Sequence, residues 1–246
     1  MTLKNKTVLV TGGSKGIGRA CVLAFAEQGA NVIINYAHDE KTARTTAEAA
    51  MKHDVKILIV QADIANQTEV DSMFATIKAE FPTIDVLVNN AGIFAEGDSP
   101  DNLEAIQKVF DTDLFGEIRV TNAARKLMPK GKIIFISSIH GKLGNGRPSA
   151  IGYSASKAAL DSYMKNLAKA LAPDVLVNSI APGRTLTPMW GNMTEEYKRS
   201  QAEGHLIDRW IEPSEIADGV VFLAKNDAVC GEVLVIDGGM SLKVLG

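Results

Sequence analysis

Cysteine, histidine and aromatic residues are scarce in this chain of 246 residues, which has two cysteines, four histidines and 6% aromatics. Cys21 and Cys230 lie far apart and form no CxxC pair, so neither a disulfide framework nor a zinc site is expected. His38, His53, His140 and His205 stand singly, without a second ligand at helical or turn spacing, and no metal centre is expected. An excess of one charge is missing too. The 26 basic and 29 acidic side chains are interspersed, leaving a net charge of −3 and no basic footprint for nucleic acid. No segment reaches the roughly 20 apolar residues that span a bilayer. The opening MTLKNKTVLVTGG runs directly into a strand pattern, without the apolar core and cleavage site of a secretory signal, and reads as the start of a cytoplasmic protein. No linker, repeat or low-complexity run divides the chain, so residues 1–246 read as one domain.

What is present is an apolar content of 46%, enough for a sizeable core, distributed in a regular alternation. Short β-branched runs at residues 7–10, 31–35, 56–60, 85–88, 132–136, 175–180 and 232–236 read as strands. Most are continuously apolar, as a parallel sheet buried on both faces requires. Helical patterns at 16–29, 40–53, 67–80, 101–128, 153–171 and 213–224 fill the gaps, with Pro82, Pro129 and Pro173 marking three helix ends. Right-handed crossovers then predict an α/β fold, a doubly wound parallel sheet of about seven strands with helices on both faces. Sites in such folds lie beyond the C-terminal ends of the strands. The longest irregular stretch follows the sixth strand; its bulky residues suggest a substrate lid at about 184–212.

The first strand ends in Thr11-Gly12-Gly13-Ser14-Lys15-Gly16-Ile17-Gly18, followed by a good helix. Glycines at such a junction let the backbone turn sharply and approach a pyrophosphate, which the helix N-terminus attracts. Asn89-Asn90-Ala91-Gly92 follows the fourth strand, Ser137-Ser138 the fifth, and Pro182-Gly183 the sixth, while Tyr153-Ser154-Ala155-Ser156-Lys157 opens a helix. In order and spacing these five motifs resemble the short-chain dehydrogenase/reductases, almost from end to end. The resemblance implies a Rossmann-type fold and a nicotinamide cofactor. It implies contacts to that cofactor from Gly12, Ser14, Lys15, Gly16, Ile17, Gly18, Asn90, Ala91, Gly92, Tyr153, Lys157, Pro182, Gly183 and Thr185. It further implies an adenine contact at Asp63 and Ile64 and a carboxamide contact at Thr187.

An acid at the end of the second strand would bind the ribose 2′-hydroxyl of NAD and repel the phosphate of NADP. The strand ends instead in Asn35-Tyr36-Ala37, and Lys15 adds a cation to the glycine loop, so NADP(H) is favoured. Asp39 or Glu40 would favour NAD(H) if the strand ran further.

Tyr153 and Lys157, four residues apart, share one face of a helix. A neighbouring ammonium favours the phenolate and lowers a tyrosine pKa ordinarily near 10, fitting the hydroxyl for general acid–base work. Ser138 stands where its hydroxyl can hold a substrate oxygen. YxxxK alone is a common spacing on any exposed helix; its meaning comes from the company of Ser138 and the glycine loop. Ser137 and Asn89 read as structural neighbours.

Within the family, TGGSKGIGRA, NNAGI and the ending GEVLVIDGGM resemble the 3-oxoacyl-acyl-carrier-protein reductases, although sugar, polyol and other small-carbonyl reductases share these features. An acyl carrier protein would need a basic patch near the pocket mouth, for which Arg125, Lys126, Lys130 and Lys132 are candidates. His140, Arg147, Ile151 and Phe94 are candidates for the substrate pocket. The resemblance also implies a homo-oligomer, usually a tetramer, with an apolar tail of Leu242, Val244 and Leu245 available for contact. A catalytically idle cofactor-binding sensor is the remaining alternative.

One departure from the family stands in Thr112-Asp113-Leu114-Phe115-Gly116, where Asp113 occupies the place of an asparagine that holds a water behind the lysine. An aspartate loses the amide donor and adds a charge for Lys157 to pair with. The chain is therefore expected to be active with an altered pH dependence, and Asp113→Asn is expected to displace the pH–rate profile. Superimposable profiles for the two proteins would refute this.

Overall fold

The computed structural model describes residues 1–142 and 146–243. Seven strands, β1 (Thr7–Val10), β2 (Asn31–Tyr36), β3 (Ile57–Gln61), β4 (Val86–Asn89), β5 (Gly131–Ile136), β6 (Val175–Pro182) and β7 (Val233–Ile236), form one sheet in the order 3-2-1-4-5-6-7. Every pairing is parallel. The continuous apolar runs are explained by burial on both faces. Leu9, Ile33, Leu87 and Ile133 point to one side, and Val8, Val10, Ile34 and Ile134 to the other, following the two-residue repeat of a strand.

Helices α1 (Gly16–Glu27), α2 (Glu40–Met51) and α8 (Pro213–Lys225) cover the second of these faces through Phe25, Ala47 and Val220. On the first lie α3 (Gln67–Glu80), α5 (Glu117–Arg125) and α6 (Ile151–Leu171), through Met73, Val120 and Leu160. The prolines act as expected: α3 gives way to extended backbone at Phe81, before Pro82, and α6 to extended backbone at Ala172, before Pro173.

Two elements differ from expectation. The long helix spans α4 (Leu103–Phe110) and α5, joined by a wider π-helical turn at Asp111–Gly116. Hydrophobic periodicity cannot register one inserted residue of this kind. Within the irregular stretch lies α7 (Glu195–Ala202), whose sequence EEYKRSQA buries no residue and so carries no apolar stripe. Thr194 caps it, accepting a bond from the Tyr197 N–H. At the C-terminus Leu242 is exposed, whereas Val244 and Leu245 lie outside the described residues.

The strand order reverses between β1 and β4, and a crevice opens there at the C-terminal edge. The loop after β1 packs so tightly that a Cβ on Gly18 would overlap the Gly12 carbonyl oxygen. Gly18→Ala is expected to destabilise the fold by roughly 1–3 kcal/mol through this overlap. An unchanged thermal midpoint would contradict it.

Candidate active site

The C-terminal ends of β1, β2, β4, β5 and β6 surround one cavity of about 560 Å³. Gly12, Ser14, Lys15, Gly16, Ile17, Asn35, Tyr36, Asp63, Ile64, Asn90, Ala91, Gly92, Pro182, Gly183, Thr185 and Thr187 all border it, as do Asp113, Ser138, Tyr153 and Lys157. Gly18 stands behind the loop and does not reach the wall; its contribution is close packing against Gly12 and Asn90.

The loops are braced against one another. Asn90 donates from its side chain to the carbonyls of Thr11 (2.8 Å) and Gly12 (3.1 Å), tying the turn after β4 to the glycine loop. Asn35 accepts from the Gly12 N–H and donates to the Ala62 carbonyl, so its amide is spent on bracing. Gly16 has a positive φ of 56°, and a Cβ there would meet Thr187 at 3.4 Å. This concave backbone at the start of α1 is a cradle that side chains would fill, and it fits a dinucleotide pyrophosphate. Asp39 borders the same cavity beyond the end of β2, where its carboxylate caps α2 by accepting from the Thr42 N–H and hydroxyl. These bonds hold its pKa below the ordinary carboxylate value.

At the other end, Lys157 and Tyr153 lie one turn apart on α6, with the Lys157 ammonium 5.7 Å from the centre of the Tyr153 ring. Lys157 donates to the Ile136 carbonyl (3.1 Å) and lies 3.3 Å from Asp113 Oδ2, an ion pair inside the protein. The Ile93 N–H donates to Asp113 Oδ1 at 2.8 Å. Gly92 leaves room for this pair, because a Cβ there would come 3.0 Å from Asp113 Oδ2. Burial would lower the Lys157 pKa, but the negative charge of Asp113 outweighs it and holds the ammonium above its ordinary value. The expectation that Lys157 depresses Tyr153 needs correction for the chain alone. Burial is the largest influence and raises the phenol, the Asp113 carboxylate reinforces it, and Lys157 and the Ser138 hydroxyl only oppose it.

Three residues of this site escaped the sequence reading. Asp98, buried, accepts from the N–H groups of Gly152 (2.7 Å) and Tyr153 (2.9 Å) and so caps α6 from a distant loop. Ala150 provides no cap of its own, and that missing local cap is the only hint the sequence contains. Gly141 lets the loop after β5 cross α6, since a Cβ would come 2.7 Å from the Ala158 nitrogen. Glu117, four residues beyond Asp113, is fully buried and neither carboxyl oxygen has a hydrogen-bond partner among the described residues. The expected basic patch does not border this cavity. Arg125, Lys126 and Lys130 precede β5, at the opposite edge of the sheet, and Lys132 is buried and paired with Asp227.

Residues 12–241 match a family model described as enoyl-(acyl carrier protein) reductase. A 3-oxoacyl-[acyl-carrier-protein] reductase of Synechocystis is 38% identical, covering 97% of this chain and 98% of its own. One from Aquifex aeolicus is 37% identical over the same shares of the two chains. Among solved structures, a short-chain dehydrogenase of Burkholderia cenocepacia in complex with NADP superposes with a TM-score of 0.89 at 30% identity, covering 98% of this chain and 100% of that one.

Lys157 balances one carboxylate, and Asp113 is the one in contact with it. Glu117, desolvated and unpartnered, retains its proton well above the ordinary 4.5. Unfolding releases that proton, so fold stability falls as pH rises from about 4.5 toward the raised value, by about 1.4 kcal/mol for each unit separating the two. Glu117→Gln removes this dependence, and its advantage in thermal midpoint is expected to widen from pH 5 to pH 8. A midpoint difference independent of pH would contradict it.

Proposed function

The chain belongs to the short-chain dehydrogenase/reductase family of enzymes, and from that premise we propose that it is an NADP(H)-dependent oxidoreductase acting on a carbonyl or the corresponding alcohol. The observation that carries this reading is the convergence of Ser138, Tyr153 and Lys157 on the wall of the cavity that the glycine loop also borders.

When bound, the nicotinamide supplies the hydride. Gly12, Ser14, Gly16 and Ile17 would hold its pyrophosphate, Asp63 and Ile64 its adenine, and Thr187 its carboxamide. The Ser138 hydroxyl donates to the substrate oxygen and fixes it beside Tyr153. Tyr153, held protonated by its surroundings, gives its proton to that oxygen in reduction and recovers it in oxidation. The Lys157 ammonium stabilises the phenolate left behind. Asp113 keeps Lys157 charged, and Asp98 keeps the first turn of α6, and with it Tyr153, in place.

NADP(H) is favoured by Lys15, exposed at the mouth of the loop, and by the absence of an acid within β2. NAD(H) is the second reading, favoured by the ionised Asp39 on the cavity wall. The names of the relatives make a 3-oxoacyl thioester on an acyl carrier protein the first substrate to try. A smaller carbonyl compound is favoured by the position of Arg125, Lys126 and Lys130, remote from the chain's own cavity. Residues 184–212 form a cover over the substrate end. Its two tryptophans stack edge to face at 5.1 Å and donate to the carbonyls of Thr185 and Lys198, which fastens α7 to the loop after β6. Assembly is proposed to be a homotetramer.

The test is a panel of ketoacyl thioesters, diketones, sugars and small keto compounds, run with NADPH and NADH in parallel. Turnover is expected with NADPH, and Tyr153→Phe is expected to lower kcat by about 10² to 10⁴-fold. Comparable rates with both cofactors would remove the argument from Lys15. Binding of NADPH without turnover of any carbonyl would favour the idle sensor.

A further inference from the structure

The substrate end of the cavity is electrically lopsided. Its carboxylates are Asp39, Asp63 and Asp113. The first two follow β2 and β3, at the adenosine end, and the third is engaged by Lys157. At the end of the cavity that Ser138 and Tyr153 border, by contrast, Arg184 lines the wall and Arg147 stands over the ring of Trp190. Arg184 follows the Pro182–Gly183 turn and borders the cavity with Ser138, His140 and Trp190. Its one hydrogen bond among the described residues runs from Nη1 to the Gln201 carbonyl of α7 at 3.0 Å. Arg147 lies with its guanidinium carbon 6.0 Å from the centre of the Trp190 ring. Its Nε is shut off from solvent and has no partner among the described residues. Neither arginine forms an ion pair with a described residue.

A guanidinium is a rigid fork of donors suited to carboxylate or phosphate, and a buried donor left without an acceptor is costly. The two guanidiniums are near enough for Arg147 to act on Arg184, and two such charges repel, so the arrangement gains when an anion binds to both. Burial and Arg147 hold Arg184 below its ordinary value, and no carboxylate opposes them. His140, beside both, is lowered to about 4 by burial and the two arginines, so it is neutral at physiological pH and adds no third charge. Phe94, which packs on Tyr153 at 4.1 Å between ring centres, adds an apolar surface to the same cavity. A bound molecule is thereby oriented, with its reacting oxygen at Ser138 and Tyr153 and its charged end toward the arginines.

Resting on the oxidoreductase reading above, we infer that the substrate is a small carbonyl compound bearing an oxyanion, a carboxylate or a phosphate, which Arg147 and Arg184 grip beneath the cover formed by α7. Such a substrate differs from a carrier-bound thioester, whose acyl end is uncharged.

Matched pairs test this: acetoacetate against its methyl ester, and dihydroxyacetone phosphate against dihydroxyacetone, each with NADPH. For at least one pair, kcat/KM for the anion is expected to exceed that for the neutral partner by tenfold or more. The preferred pair distinguishes carboxylate from phosphate. In Arg184→Met and Arg147→Met this ratio is expected to fall at least tenfold, and a ratio is insensitive to any loss of folded protein. Ratios near one, or ratios unchanged in both variants, would overturn the inference while leaving the oxidoreductase reading intact. Should no compound consume NADPH, that reading fails and equilibrium binding decides the anion site. Tryptophan fluorescence is then titrated with acetoacetate, inorganic phosphate and acetoacetamide, with and without NADP⁺. Saturable quenching by an anion and not by the amide, weakened tenfold in Arg184→Met, supports the site. Absence of saturable quenching by either anion refutes it.

Discussion

A parallel sheet imposes one constraint from which the rest of this molecule follows. Each strand must return to the same edge before the next begins, so every connection crosses the sheet and both faces become covered by helices. The strands are then apolar throughout, and polar function is expelled to the loops at their ends. In this chain all the loops after β1, β2, β4, β5 and β6 contribute to a single cavity. Residues as distant as Gly16 and Thr187 become neighbours because the topology leaves them one edge to share.

Within that cavity the costly feature is a buried ammonium. Lys157 is tolerated because Asp113 and the Ile136 carbonyl meet it, and because Gly92 leaves space for the pair. The π-helical turn carrying Asp113 belongs to the same solution. Glu117 then adds a second acid for which no positive charge remains, and its proton resolves the imbalance. Carboxylate, ammonium and carboxylic acid together form a neutral set inside the protein, close behind Tyr153. Burial of the phenol keeps it protonated in spite of Lys157, as donation of a proton to substrate requires.

At the substrate end the balance is different: Arg184 on the cavity wall and Arg147 over Trp190 form no ion pair among the described residues. The contrast divides the cavity by electrostatics: compensated charge behind the reacting hydroxyl, uncompensated charge in front of it. In the first region Tyr153 and Lys157 belong to the family's motif, whereas Asp113 departs from it. The second is a property of this chain's own Arg147 and Arg184.

All seven strands and six of the helical patterns were legible in the sequence, because burial on two faces writes itself as apolar runs and burial on one face as a stripe. The glycine loop, Ser138, Tyr153 and Lys157 were legible for a related reason, since local spacing at strand ends carries the chemistry. Short polar α7 was not, having no buried residue to leave a signal. Nor was Asp98, whose hydrogen bonds span 54 and 55 residues of sequence to reach α6. The basic side chains before β5 looked available to the pocket until the strand direction put them at the other edge. By itself, then, the sequence determined the alternation of elements and the identity of the reacting groups, which depend on local periodicity and spacing. Only the tertiary structure decided which charges are paired, which are buried alone and which face the substrate, because Coulomb and desolvation energies depend on distances through space that the order of residues does not contain.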